Sequence, residues 1–213
     1  MSEALGTQGV AGAAPGFIYL ASQSPRRRQL LEQIGVEHRL LLADADEDAE
    51  ALEAVRAGEA PRRYVERVTR AKLQAARERL AARPLPIAPI LCADTTVALG
   101  RRIFGKPQDA AQAIDFLRDL SGRTHRVITA VAVALADAEW FAISNSTVRF
   151  AAIDSRAIER YVASGEPFGK AGAYAIQSLA ATWIERIDGS YSGIMGLPLY
   201  ETAQLLRQAG VGF

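Results

Sequence analysis

The chain has 213 residues, 49% hydrophobic and 23% charged, with a formal net charge of +1. That length and mixture belong to an ordinary globular fold with a sizeable core, and the balanced charge argues against a polyelectrolyte partner such as nucleic acid or an anionic membrane surface. The single cysteine, Cys92, excludes an internal disulfide and agrees with a reducing cytoplasm, and no apolar run reaches membrane-spanning length.

Residues 1–16, rich in Gly and Ala without a basic start, are expected to form a flexible tail, and 17–213 a single domain. Phe17 to Leu20 reads as a first strand and Arg26 to Ile34 as a helix, with Pro25 at its first position and Ser24 placed to cap it. His38 to Leu42 reads as a second strand, followed by an acidic stretch from Asp44 to Glu50. Residues 61–82 form the longest helix, closed by the Pro-rich "RPLPIAP". Ile87 to Ala93 is an apolar run, and "DTTVALGRRIFGKP" reads as a turn into a hairpin folded about Gly100 and Arg101. Gln108 to Leu120 is helical by spacing, and two neighbouring strands then meet around Asp137 to Glu139. Asp154 caps a helix to about Ser164, Thr182 to Ile187 reads as a strand, and Pro198 opens a last helix ending near Gly210. This alternation predicts an α/β fold.

Several charged residues stand in unusual places. Arg26, Arg27 and Arg28 follow a Ser-Pro turn at a strand-to-helix junction, where free amides, the helix dipole and fixed positive charge make an anion site. Of 25 basic residues only three are lysine, Lys72, Lys106 and Lys170. Such sparing use points to places where a compact, flexible ammonium matters. Lys72 falls about 20° from Val65 on the long helix, inside the apolar stripe of Val68 and Ala76, so it either snorkels past that stripe or fills a pocket. Lys106, between Gly and Pro, is either a turn lysine or aimed at a ligand. Spacing assigns Lys170 no role. Asp94, directly after the apolar run, is either a turn former or a carboxylate at the ligand-binding carboxyl end of a central strand. Glu47 is either part of a solvated acidic loop or an oxygen ligand for a cation such as Mg²⁺. His38 and His125 are too isolated for a metal site and read as structural. An anion-binding helix start, lysines in unusual places and separated carboxylates together point to phosphate chemistry with a divalent metal.

Five segments in order, "LASQSPRRRQLL", "ADTTVALGRRIFGKPQD", "LSGRTHRVITAVAV", "EPFGKAGAYAIQ" and "IDGSYSGIMGLPLYET", resemble the motifs of the Maf family of nucleoside triphosphate pyrophosphatases. The resemblance runs from about residue 18 to 202. It implies a twisted mixed sheet flanked by helices, in two lobes around a central cleft. It also implies hydrolysis of a nucleoside triphosphate to the monophosphate and pyrophosphate with a divalent cation, Mg²⁺ or Mn²⁺.

By the same resemblance Asp94 would be the general base, Ser22, Arg26, Arg27, Lys72 and Lys106 would hold the phosphates, and Glu47 with Asp94 would ligate the metal. Residues 170–177 are similar to the subgroup that prefers dTTP and UTP, with Arg26, Thr95 and Gln177 as its specificity positions. A glutamine amide both donates and accepts, which suits the alternating edge of a pyrimidine ring. The chain departs from that pattern at Gly169, where the family carries Asp, and at Ala175 and Ser178, where it carries Gly. A homodimer fits the resemblance, and a non-catalytic nucleotide-binding regulator of septum formation is the alternative reading.

Overall fold

A computed structural model describes residues 16–44, 47 and 51–213. Apart from Gly16, the expected N-terminal tail lies outside the described residues, as do five residues of the acidic stretch, 45, 46 and 48–50. The order of elements is β1 (Ile18–Leu20), α1 (Pro25–Gln33), β2 (His38–Leu40), α2 (Pro61–Ala82), β3 (Ile90–Leu99), β4 (Arg102–Phe104), α3 (Ala110–Leu120), β5 (Thr124–Leu135), β6 (Ala138–Phe150), α4 (Ser155–Ala163), β7 (Ile184–Asp188), α5 (Tyr191–Met195) and α6 (Leu199–Gln208). Short 3-10 turns at Ala51–Glu53, Ala171–Ala173 and Leu179–Trp183 complete it.

One mixed sheet of seven strands runs in the order β2-β1-β3-β5-β6-β7, with β4 paired to β3 off that path. β1 is parallel to both β2 and β3, and the remaining pairs are antiparallel. The central strands are apolar along nearly their whole length because helices cover both faces. On β5, Val127, Val131 and Val133 face a large core with Leu30 and Leu31 of α1, Phe116 and Leu117 of α3, Ile158 of α4 and Leu206 of α6. The alternate residues, Ile128, Ala130, Ala132 and Ala134, face the other way, where Tyr64, Val65, Val68, Leu73 and Ala76 of α2 cover them. Small alanines there leave room for the long helix to lie on the sheet.

Two crossovers create the cleft. From β1 the chain passes through α1 to β2 on one side, then returns through α2 to β3 on the other side of β1. Such a reversal leaves a crevice beyond the carboxyl ends of the strands that flank it. β1 ends at Leu20, opposite Leu91, whereas β3 continues to Leu99. The β1-side edge of β3 between Leu91 and Val97, where β4 takes up the pairing, therefore opens onto the crevice.

The structure alters several local expectations. The run ending at Ala93 and the "DTTVAL" segment are one strand, so Asp94 stands in the middle of β3 opposite Ala130, not at its end. It is β1 that stops short and makes Asp94 accessible. Ile87 lies outside the strand and is 73% exposed, since the surrounding prolines have no amide for a ladder. β2 stops at Leu40, two residues early, and Ser24 makes no side-chain cap although Pro25 does open α1. Asp154 caps α4 as expected, accepting from the Ala157 amide at 3.2 Å.

His125 on β5 is structural. Its Nε2 lies 2.8 Å from the Tyr174 hydroxyl, and the Phe150 ring meets it edge-on at 4.9 Å. Burial pushes its pKa down to about 4, against about 6.5 in an unfolded chain. Between these values the unfolded chain takes up a proton that the folded one refuses. Stability should be complete above about pH 6.5 and decline as pH falls toward 4, by about 2–3 kcal/mol from this group alone. Urea unfolding at pH 7 and 4.5 should show that His125→Gln, which cannot titrate, removes most of this acid loss; an unchanged pH dependence in the variant would contradict a buried neutral histidine.

Candidate functional site

A cavity of about 770 Å³ fills the crevice, within the usual size of small-molecule sites. Alternation along β3 sends Asp94 to the α2 face and Thr95 to the opposite face, and both line the cavity because the strand edge there is uncovered. Of the residues singled out in the sequence for a site role, Ser22, Arg26, Arg27, Glu47, Lys72, Asp94, Thr95, Lys106 and Gln177 are on its wall. They come from separate segments between residues 22 and 177: the two crossovers bring together those from Ser22 to Thr95, the β3–β4 hairpin adds Lys106, and the chain beyond α4 adds Gln177.

Its charged centre lies between α2 and β3. Lys72 Nζ donates to Asp94 Oδ1 at 2.6 Å and to Glu53 Oε1 at 2.7 Å. Lys106 Nζ reaches Glu53 Oε2 at 2.8 Å. The Lys72 and Asp94 side chains are only 19% and 9% exposed, so this pair is largely withdrawn from solvent. Burial alone would lower the lysine's pKa, but the charges of Asp94 and Glu53 outweigh it and the net direction is upward. Glu53 mirrors this: burial would raise its carboxyl, yet Lys72 and Lys106 hold it below its ordinary value. The lysine on the apolar stripe is thus neither snorkelling nor unpaired; it fills a pocket.

On the other side of β3, α1 presents its arginines to the turn that ends α5. Arg26 Nε donates to the Met195 carbonyl at 3.2 Å and Arg27 Nε to the Gly196 carbonyl at 2.8 Å. Gly196 has φ +123°, a conformation open to glycine, and a Cβ there would sit 3.6 Å from Arg27 Nε. The Arg27 guanidinium also reaches the Ser22 hydroxyl at 3.1 Å, and Thr95 meets Thr129 at 2.9 Å. Thr129 in turn donates to the Gly193 carbonyl at 2.7 Å. These contacts fix two guanidinium groups at the rim while leaving other N–H donors to face a ligand. Arg28, third in the run, does not line the cavity.

Glu47 also borders the cavity, but both its oxygens are engaged by Arg79, at 2.8 and 2.5 Å. Hydrogen bonding to that guanidinium lowers its pKa to about 2. The sequence reading missed Glu53, Tyr64, Arg79 and the part played by Lys170, all of which line the cavity. Glu53 sits on a short 3-10 turn in a polar, alanine-rich stretch whose pattern carries no signal of direction. Arg79 was detectable in principle: it is seven residues beyond Lys72, on the same side of α2.

Carboxylates of Asp94 and Glu53 converge on the Lys72 ammonium; among the described residues no group of three or more His, Cys, Asp or Glu side chains gathers to hold a metal ion, so these two supply hard oxygen donors but no full cage. Removing the lysine should leave Asp94 without its counter-charge and Glu53 with Lys106 alone. Lys72→Met is expected to cost about 1–3 kcal/mol of stability in urea unfolding at pH 7, scaled down for the lysine's residual exposure, and Asp94→Asn less, because Glu53 still pairs with Lys72. Equal costs for the two variants would contradict this division of roles.

A family model described as Maf-like protein matches residues 17–209. The chain is 63% identical over 194 residues to a dTTP/UTP pyrophosphatase of Albidiferax ferrireducens, covering 91% of this chain and 97% of that one. It is 64% identical over 197 residues to a dTTP/UTP pyrophosphatase of Cupriavidus metallidurans, covering 92% and 98%, and 63% identical over 201 residues to one of Ralstonia nicotianae, covering 93% and 97%. A match spanning nearly all of the chain, and both faces of the cavity, shows that this protein belongs to the Maf family.

Proposed function

We propose that the chain is a nucleoside triphosphate pyrophosphatase that cleaves dTTP and UTP between the α and β phosphates. The observation that carries this reading is the single cavity that sets Asp94 against Lys72 and rings them with Lys106, Arg26, Arg27 and Lys170. A polyanionic triphosphate suits five cations that outnumber the two carboxylates paired with them, and Asp94 beside them would activate water. The names of the relatives, dTTP/UTP pyrophosphatase, support the substrate choice.

In this reading Lys72 and Lys106 exchange Glu53 for phosphate oxygens, while Arg26, Arg27 and Ser22 hold the remaining phosphates from the α1 side. Asp94 takes a proton from water as its oxygen bonds to the α phosphorus. The bond from that phosphorus to the bridging oxygen breaks, and pyrophosphate leaves. Gln177 and Thr95 border the cavity for base selection, the glutamine amide both donating to and accepting from a pyrimidine edge. A divalent cation, Mg²⁺ or Mn²⁺, held by Asp94 with Glu53 or Glu47, would neutralise developing charge on the phosphates.

Among the described residues no helix is long and apolar enough to cross a membrane. In this reading the chain clears excess or non-standard pyrimidine nucleotides from the nucleotide pool of the cytoplasm.

Asp94→Asn should retain the fold and nucleotide binding while pyrophosphate release from dTTP drops by about 10²–10⁴-fold. Turnover near that of the unaltered chain would remove Asp94 from the role of base. Chelation with EDTA should abolish pyrophosphate release and added Mg²⁺ or Mn²⁺ restore it; full activity in excess chelator would exclude the metal.

A further inference from the structure

We propose that Glu166 is a positioning residue that ties together the two ends of the loop from 166 to 178 and thereby sets discrimination among nucleobases. The proposal deepens the nucleotide reading above and rests on it. This loop carries Lys170 and Gln177 to the cavity wall.

Tyr161 on α4 is buried, with its ring edge-on to Trp183 at 5.0 Å. Its hydroxyl donates to Glu166 Oε1 at 2.9 Å. Ser178, at the far end of the loop, sets its hydroxyl against the same oxygen and 2.9 Å from the Ala175 carbonyl, and its single proton goes to the carboxylate as the stronger acceptor. Two hydroxyls therefore converge on one carboxylate oxygen, and charge-assisted bonds of this kind are about twice as strong as neutral ones. The Lys170 ammonium in turn donates to the Glu166 main-chain carbonyl.

The middle of the loop is pinned separately. Gly172 donates its amide to the Gly105 carbonyl at 3.1 Å, and with φ +70° it packs so tightly that a Cβ would lie 2.9 Å from the Val97 side chain. Gln177 itself is exposed, so packing does not hold it. Its place on the rim depends on its neighbour Ser178, and through Ser178 on Glu166. Neither Glu166 nor Ser178 touches the cluster of Asp94, Lys72 and Glu53. Loosening this tie should thus disturb base recognition while leaving the chemical step in place.

Steady-state pyrophosphate release with dTTP, UTP and CTP, compared among the unaltered chain, Glu166→Ala, Ser178→Ala and Glu166→Gln, tests this. The alanine variants should raise KM for dTTP and UTP about tenfold and shrink the preference for dTTP over CTP by a similar factor, with kcat within about twofold. Glu166→Gln, whose amide oxygen still accepts from both hydroxyls, should recover most of the preference. Thermal melting of each variant separates this from loss of fold. Folded alanine variants with unchanged preference would overturn the proposal and leave the nucleotide reading standing, as would an equal fall in kcat on all three nucleotides with no recovery in Glu166→Gln. An unaltered chain that turns over no triphosphate would overturn both.

Discussion

The contact on which the rest of this structure depends is the one between Lys72 and the carboxylates of Asp94 and Glu53. Three charges meet where β1 has ended and β3 continues, at 2.6 and 2.7 Å, largely out of solvent. Charges buried this far are costly unless paired, so the fold must hold α2 against β3 closely enough to pair them. It does so with small residues: Cys92, Ala132 and Ala134 on the sheet and Ala76 on the helix let the two approach. The same packing that forms the core thus sets the distance across the site.

Around that centre the two faces of the sheet divide the work. From the α2 side come the lysine and Arg79, which engages Glu47 at the margin. From the opposite side come the arginines of α1, held by carbonyls at the end of α5, and the loop bearing Lys170 and Gln177. A strand whose neighbours alternate between these faces can present Asp94 to one and Thr95 to the other, one residue apart. The phosphates and the base of a nucleotide would then be read by different elements, which allows base selection to be adjusted without moving the charged centre.

Much of this was legible in the sequence, because long amphipathic or apolar segments have a period that survives tertiary context. α2 follows the predicted bounds of 61–82, as does the hairpin at Gly100, and β5 and β6 lie where alternation placed them. The nine residues from Ser22 to Gln177 given site roles by resemblance line one cavity, whereas Arg28 does not. What escaped were features set by contacts distant in sequence. Asp94 reads as the end of a strand because a carboxylate follows an apolar run, and only the pairing with β5, which continues through Asp94 to Ala98, carries the strand on past it. Glu53 has no local signal, since its role comes from two lysines 19 and 53 residues away. Ser24 has the chemistry of a cap but not its geometry: its amide donates instead to the Ser22 hydroxyl at 3.2 Å. α5, five residues long, is too short for periodicity to register.

The central claim is that water attacks the α phosphorus under the control of Asp94 and the lysines. Hydrolysis of dTTP in ¹⁸O-labelled water, with the products separated and weighed by mass spectrometry, tests it most directly. Label found in the monophosphate, with unlabelled pyrophosphate, is the predicted result. Label in pyrophosphate or in orthophosphate would place the attack on another phosphorus and contradict the account.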